Sequence, residues 1–149
     1  MVDIQEIQNM QMKQDVVVDS TPVLNLVRFH INNKFYAVNI KNVREIIENI
    51  DYTPYPEKME HHIGIINVRG VVIPLIQMEN ENQLHNLELI KIIILEFVEG
   101  TLTAIQADKI TKCVYKSNLL LPGQTINLSG IPSLYIDEIN FDCIIKGNV

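Results

Sequence analysis

This sequence has no long apolar run and few cysteines, and its first residues are not expected to be a secretory signal. Its apolar runs fall far short of the roughly 20 residues that a membrane-spanning helix needs. The chain begins Met-Val-Asp-Ile-Gln-Glu, with neither the basic start nor the apolar stretch of a secretory signal. Its two cysteines, Cys113 and Cys143, are too few for a disulfide framework and are predicted to be buried thiols. These absences predict a cytoplasmic protein in a reducing compartment.

The motifs of the common enzyme classes are also absent. None of the four serines lies in a Gly-x-Ser-x-Gly elbow, and the six glycines form neither a P-loop nor a dinucleotide fingerprint. Neither cysteine has a histidine nearby in the sequence, although proximity in space stays open. Paired carboxylates for acid–base chemistry stay open at this point, although no pair lies within an apolar run that would raise a pKa. The sequence predicts that the protein is not an enzyme and has no cofactor.

Two adjacent histidines, His61 and His62, are the first candidates for a metal site. Adjacent side chains of an extended chain point to opposite sides, so the two rings cannot easily hold one ion. Glu57 and Glu60 lie nearby, but at no recognisable ligand spacing. We therefore predict two exposed loop histidines and no metal.

The charge balance excludes a further class of protein. The chain has 12 basic and 18 acidic residues, which give a formal net charge of −6. A protein that binds nucleic acid normally carries a basic patch. Hydrophobic residues make up 47% of the chain, enough to bury a core. This composition predicts no nucleic-acid partner and favours a protein that binds other proteins.

The chain divides by composition into a tail and a folded part. Residues 1–22 are rich in polar side chains, lack aromatic residues and end at a proline, which is typical of a mobile tail. A tail that docks on a partner is the alternative. Residues 23–149 form one domain, in which the polar segment Gln77–Asn86 separates halves of about 23–78 and 88–149.

Most of the folded part has the pattern of short strands. Alternating apolar residues with turn signals every 8–12 residues predict about ten strands, as in all-β barrels. Each half alone would be marginally stable, so the two are expected to share an apolar interface. Asn39 is a plausible helix N-cap, and the apolar residues after it suit either a helix or a short helical turn that passes into a strand. The remaining predictions are a loop through Pro54 and Pro56 to about His61, separate strands at Leu102–Ala107 and Ile110–Tyr115, and a closing strand at Phe141–Ile145.

The most informative segment is Ile63–Ile76, an almost uninterrupted apolar run. We predict two strands joined by a tight turn at Asn67-Val68-Arg69-Gly70, which would lift Arg69 out of the hairpin. Glu45 is likewise a lone charge beside apolar residues, and such charges usually find a partner or lie at a rim. These two residues either frame a protein-binding surface or are unrelated solvated charges.

At these residues the chain resembles the chemotaxis coupling proteins, the CheW-like domain family. The family core "KGVINLRGxIVPVVDLR" corresponds here to residues 62–76, and the resemblance extends over about residues 23–145. Upstream, Phe35–Ile40 resembles the family's "EYGVDI" and Val43–Ile46 its "VQEI". Five core residues stand at the expected spacing: Gly64, Asn67, Arg69, Gly70 and Pro74.

The resemblance implies a fold, a function and a set of site residues. It implies an all-β fold with short helices, built as two SH3-like five-stranded barrels that share an apolar interior. It implies a non-enzymatic adaptor between chemoreceptor cytoplasmic tips and the histidine kinase CheA, located in the cytoplasm at membrane receptor arrays. The positions that match the family's receptor-binding surface are Val43, Glu45, Gly64 and Arg69, while Asn67 and Gly70 shape the turn.

The sequence departs from the family at three places. Gln77-Met78-Glu79 stands where the family has Asp-Leu-Arg, Lys109 replaces a glycine, and little chain follows Phe141–Ile145. The first departure raises the alternative of a divergent paralogue that binds receptor but not kinase and competes with a standard coupling protein. A small enzyme or ligand-binding barrel on the same fold is the third possibility, because fold alone does not fix function.

Overall fold

The computed structural model describes residues 20–48, 51–59, 61–77 and 91–145. Most of the predicted tail, nearly all of the polar connector Gln77–Asn86 and the side chain of Cys143 lie outside the described residues. Cys113 is described, and its thiol is half-buried and free. Of the helices in the described ranges, none has the length and apolar character required to cross a membrane.

The described chain is almost entirely β-structure. A 3-10 turn, Ile40–Asn42, separates the second and third strands, and one short helix, α1 (Phe141–Ile145), follows the last strand. The ten strands are β1 Val23–Ile31, β2 Lys34–Asn39, β3 Val43–Glu48, β4 Thr53–Met59, β5 His62–Val68, β6 Val71–Ile76, β7 Lys91–Val98, β8 Thr101–Lys116, β9 Thr125–Leu128 and β10 Ile131–Ile136. The predicted all-β fold with short helices is confirmed.

The long strand β8 joins two sheets. Sheet A consists of β1, β2, β9, β10 and residues 108–116 of β8. Sheet B consists of β3 to β7 and residues 101–107 of β8. Strand pairing therefore crosses the division predicted between 23–78 and 88–149, because β1 and β2 pair with β8 and β10. Closure of each sheet into an SH3-like barrel stays a prediction.

The main hydrophobic core lies between the two sheets. Phe29 and Tyr36 are fully buried, and their rings stack with centroids 5.7 Å apart. Phe141 of α1 packs on Phe97, with ring centroids 5.0 Å apart, and closes one side of this core. Both sheets contribute buried aliphatic residues: Val27, Ile31, Val38 and Ile136 from sheet A, and Ile93, Leu95, Ile105 and Ala107 from sheet B. The apolar interface expected between the two parts of the fold is thus present.

The segment after β2 settles an ambiguity of the sequence. Asn39 is an N-cap as predicted, since its Oδ1 accepts a hydrogen bond of 3.1 Å from the backbone N–H of Lys41. The helical part is only the turn Ile40–Asn42, and the chain then becomes β3. Side chains along β3 alternate between half-buried and exposed, as expected of a strand with one face on the core.

The predicted loop through Pro54 and Pro56 is wrong, because both prolines lie in β4. This strand is at the end of the order of sheet B and, among the described strands, pairs only with β5. Proline lacks a backbone N–H, but an edge strand has one side free of ladder hydrogen bonds and tolerates it. The two prolines therefore mark an edge and not a loop.

Two further predictions about local structure are wrong. Asp108-Lys109 does not separate two strands, since β8 runs through it with a register shift against β1 and a φ of 49° at Lys109. Phe141–Ile145 is helical instead of extended. The turn before it holds the helix start: the Phe141 N–H donates to the Asp137 carbonyl at 3.1 Å.

Gly64 tests how tightly β4 packs on β5. A Cβ at this position would collide with the carbonyl oxygen of Thr53 and press on the ring of Tyr52. We expect Gly64→Ala to lower the free energy of unfolding by about 1–3 kcal/mol, as overpacking does, in urea denaturation. Val72→Ala, at a side chain that is 59% exposed on β6, is the control and should change stability by less than about 0.5 kcal/mol. Equal effects of the two substitutions would contradict this packing.

Tyr135 makes the stability of sheet A sensitive to alkaline pH. Burial, and secondly the negative charge of Asp137, raise the pKa of this phenol above its ordinary value of 10.0. The folded state then holds the proton more tightly than the unfolded state, so this contribution is complete below pH 10 and is lost as the pH rises through the folded pKa. We expect Tyr135→Phe to flatten the fall in unfolding free energy above about pH 10. Identical alkaline profiles for wild type and variant would contradict the prediction.

Candidate functional site

The turn between β5 and β6 presents one arginine to solvent. Arg69 and Gly70 both have left-handed backbone angles, with φ of 50° and 85°. This pair of angles is typical of the type I′ turn that suits a two-residue hairpin. The side chain of Asn67 accepts a hydrogen bond of 2.9 Å from the Gly70 N–H and holds the turn. Asn67 and Gly70 thus both take part in this turn, and their role in shaping it for a partner stays a prediction.

Arg69 forms an ion pair with Glu45 of β3. Its Nη2 lies 2.8 Å from one carboxylate oxygen of Glu45 and 2.9 Å from the other. The two charges are therefore not unrelated, and their side chains are 76% and 30% exposed. A pair in such contact with water contributes only about 0–1 kcal/mol to stability. The contact therefore places the Arg69 guanidinium beside β3 without adding much to stability.

A depression of about 260 Å³ with both polar and apolar lining lies beside this ion pair. Four side chains form its floor: Val68, Ile73, Ile94 and Leu102. Four others form its rim: Arg44, Glu45, Arg69 and Val71. These eight residues are called the Arg69 groove below. It offers an apolar surface of the size of one or two side chains, bordered by charged groups.

The rim of the Arg69 groove carries more positive than negative charge. The charge of Glu45 is balanced by its ion pair with Arg69. Arg44 is 63% exposed, and its Nη1 lies 3.7 Å from Oε1 of Glu96, which is too long for a strong hydrogen bond. Next to the groove, Val71 and Val72 are 50% and 59% exposed on β6. Exposed arginine beside exposed aliphatic side chains is typical of a surface that binds another protein.

The other two predicted site residues lie outside the groove lining. Val43 is half-buried at the start of β3, pairs with Leu95 and packs on the main core. Gly64 is buried in β5 below β4. Both residues support strands of the groove: Val43 precedes Glu45 on β3, and Gly64 lies on the strand that leads to Arg69. Their role in receptor binding stays a prediction.

Sequence reasoning missed part of the groove. Ile94 enters the floor because it pairs directly with Glu45 across β3 and β7, and Leu102 comes from the start of β8. Both residues lie in apolar runs that looked like ordinary core. Arg44 could have been predicted from the sequence as a groove residue, because it is a cation directly beside Glu45.

The two histidines are not part of this site. His61 occupies the turn before β5 with a φ of 61°, and His62 begins that strand with its ring 6.1 Å from Tyr55. The prediction of two exposed loop histidines is wrong, because both are half-buried. In the ranges that the structure covers, no three His, Cys, Asp or Glu side chains are grouped so that they could hold a metal ion.

Comparisons with known proteins agree with this architecture. A family model described as CheW-like domain matches residues 25–125, which include most of β1, all of β2 to β8 and the whole Arg69 groove. The scaffolding protein TtCheW from Thermoanaerobacter tengcongensis has a similar fold, with a TM-score of 0.64 at 20% identity. The superposition covers 80% of this chain and 88% of that one.

Two curated relatives are similar over a shorter stretch. "Chemotaxis protein CheW" of Helicobacter pylori is 40% identical over 60 residues, which are 40% of this chain and 36% of that protein. The protein of the same name from Thermotoga maritima is 29% identical over 62 residues, 42% of this chain and 41% of its own length. The chain thus matches well under half the length of these relatives. Because the family model matches more than half of the chain, this chain belongs to the CheW-like domain family.

Proposed function

We propose that the protein is a non-enzymatic chemotaxis adaptor that couples the cytoplasmic tips of chemoreceptors to a CheA-type histidine kinase. The observation that carries the proposal is the Arg69 groove, where an exposed arginine in contact with Glu45 borders a depression that has aliphatic side chains in its lining. Membership of the CheW-like family and the likeness to a scaffolding protein support it. In this role the protein works on the cytoplasmic side of receptor arrays.

The receptor contact is assigned to the Arg69 groove on physical grounds. Within the described residues, Arg69 uses only Nη2 for its contact with Glu45, and a guanidinium has five N–H donors. The remaining donors can bind acceptors of a partner, while Val71 and the groove floor take an apolar side chain. Arginine beside a desolvated apolar pocket is the usual composition of a binding hot spot.

The proposed receptor-binding residues act in two ways. Glu45 and Arg69 would touch the receptor, because both lie on the rim of the groove. Val43 and Gly64 would act as positioning residues. Val43 packs β3 on the main core, and Gly64 allows β5 to lie close to Thr53 of β4. The lining of the groove offers no nucleophile, and its one carboxylate is held by Arg69. This composition supports binding and not catalysis.

Coupling follows if the same rigid body also holds the kinase. A chain that binds receptor and kinase at once raises the effective concentration of each for the other, without any chemical step of its own. The continuous strand β8 and the core shared by the sheets supply such a body.

Removal of the groove's arginine should weaken receptor capture. We expect Arg69→Ala to reduce binding to a receptor cytoplasmic fragment about tenfold or more, as loss of a hot-spot arginine does, in a titration with purified fragment. Stability should change by no more than about 1 kcal/mol, because the lost ion pair is exposed. Lys112→Ala, at an exposed cation of sheet A, is the matched control and should bind normally. Unchanged binding by Arg69→Ala would contradict the assignment of the site.

The effect on the kinase separates an adaptor from a competitor. We expect that adding the protein to receptor fragments and a CheA-type kinase raises the rate of kinase autophosphorylation, because the adaptor brings the two together. Arg69→Ala should give a smaller rise at equal concentration. A fall in activity when the protein is added to a working receptor–kinase–coupler mixture would instead identify a competing paralogue.

A further inference from the structure

The hairpin that carries Arg69 occurs twice in this chain. Ile66–Ile76 reads INVRGVVIPLI, and Ile126–Ile136 reads INLSGIPSLYI, with Ile, Asn, Gly and the last Ile in the same places. In the second turn Ser129 and Gly130 have φ of 53° and 84°, within a few degrees of the first turn. The Gly130 N–H donates to Asn127 at 2.8 Å, as Gly70 does to Asn67.

The two hairpins have the same neighbours in the two sheets. β6 runs parallel to β8 with Leu75 beside Ala104, and β10 runs parallel to β2 with Tyr135 beside Ala37. In each sheet the last strand of the hairpin, β6 or β10, therefore lies parallel to the later strand of an antiparallel pair. These pairs are β7–β8 in sheet B and β1–β2 in sheet A.

The correspondence identifies the counterpart of each groove residue. Ala104 pairs with Ile94 in sheet B, and Ala37 pairs with Arg28 in sheet A, so Arg28 occupies the position of Ile94. On the far side of these strands Ile94 pairs with Glu45, whereas Arg28 pairs with Thr111. Just beyond each of these two pairs the strand register shifts. In sheet B the shift lies between Val43 and Glu45 of β3, and in sheet A it lies between Arg28 and His30 of β1.

In sheet A the floor of the groove is filled by an arginine. Nη1 of Arg28 donates a 2.9 Å hydrogen bond to the carbonyl of Leu128, the counterpart of Val68. Its Cζ lies 5.4 Å from the ring centroid of Phe35, the counterpart of Leu102. Ser133, fully buried, replaces Ile73 and leaves room for the long side chain. Arg28 is only 9% exposed, and its Nε is buried without a hydrogen-bond partner in the described structure.

We propose that the fold holds two copies of one docking site and that Arg28 closes the copy in sheet A. The rim is altered as well, since Ser129 and Thr111 stand where Arg69 and Glu45 stand in sheet B. A buried arginine with an unpaired donor is an unfavourable way to fill a core, but it blocks an apolar floor effectively. The open depression that remains on sheet A is lined by Phe35 and Ile131, but not by Arg28, Leu128 or Ser133.

The consequence is that each chain takes one receptor and not two. This inference rests on the proposed function, because the partner of the open groove is taken to be the receptor. Arg28 is in this sense a specificity residue: it makes the two halves of a repeated fold unequal, so that sheet A stays free for other contacts.

Opening the closed site should add a second binding event. We compare wild type, a rim variant (Thr111→Glu with Ser129→Arg) and an opened variant that also carries Arg28→Ala, by calorimetric titration with a receptor cytoplasmic fragment. The expected stoichiometry is one fragment per chain for wild type and rim variant, and two for the opened variant. Two fragments on the rim variant would overturn the role of Arg28, and one fragment on a folded opened variant would overturn the equivalence of the sites.

A measurement without a partner keeps this inference separate from the proposed function. The crystal structure of Arg28→Ala should show an apolar pocket between Phe35, Leu128 and Ser133, and collapse of Phe35 into that space would count against closure by Arg28. If wild type binds no receptor fragment, the proposed function is wrong. The crystal structure of Arg28→Ala then still tests whether Arg28 closes the site in sheet A.

If the opened variant does not fold, the proposal is tested by placing the residues of the closed site into the Arg69 groove. Ile94→Arg with Ile73→Ser should close the Arg69 groove, with the new guanidinium on the Val68 carbonyl, and reduce receptor binding at least tenfold. Retained binding by that variant would contradict the proposal.

Discussion

One strand, β8, ties the molecule together. Its first part pairs with β6 and β7, and its second part pairs with β1, so neither sheet is complete without it. Pairing with β8 fixes the register of β7, and β7 in turn places Ile94 opposite Glu45. The Arg69 groove therefore depends on the backbone ladder between β7 and β8, the two strands that carry its floor residues Ile94 and Leu102.

The ion pair on this framework is better explained by recognition than by stability. Arg69 is mostly exposed, and its contact with Glu45 adds little to the folded state. Arg28 is the opposite case: it is buried, bonded to the Leu128 carbonyl and withdrawn from solvent. An arginine side chain thus lies exposed on the rim of the groove in sheet B, and an arginine side chain lies buried at the corresponding site in sheet A. The difference follows from its position: one lies on a turn and the other within a strand.

Local features of the sequence predicted the hairpin, whereas long-range pairing had to be seen in the structure. Asn67, Gly70 and the isolated Arg69 are next to each other, and their turn follows from backbone preferences alone. The strand β4 was missed because proline marks loops and sheet edges alike. The break predicted at Asp108-Lys109 failed because polar residues suit a bulge as well as a turn. Nothing in the sequence joins Ile94 to Glu45, since only the sheet register does so.

The prolines of β4 have an effect on the behaviour of the protein in crowded surroundings. Pro54 and Pro56 lie on a terminal strand of sheet B, and neither can offer an amide hydrogen to an incoming chain. Proline on an edge strand makes it a poorer template for intermolecular sheet growth. The same two prolines that disguised this strand in the sequence thus make β4, an edge among the described strands, less suited to pairing with another chain.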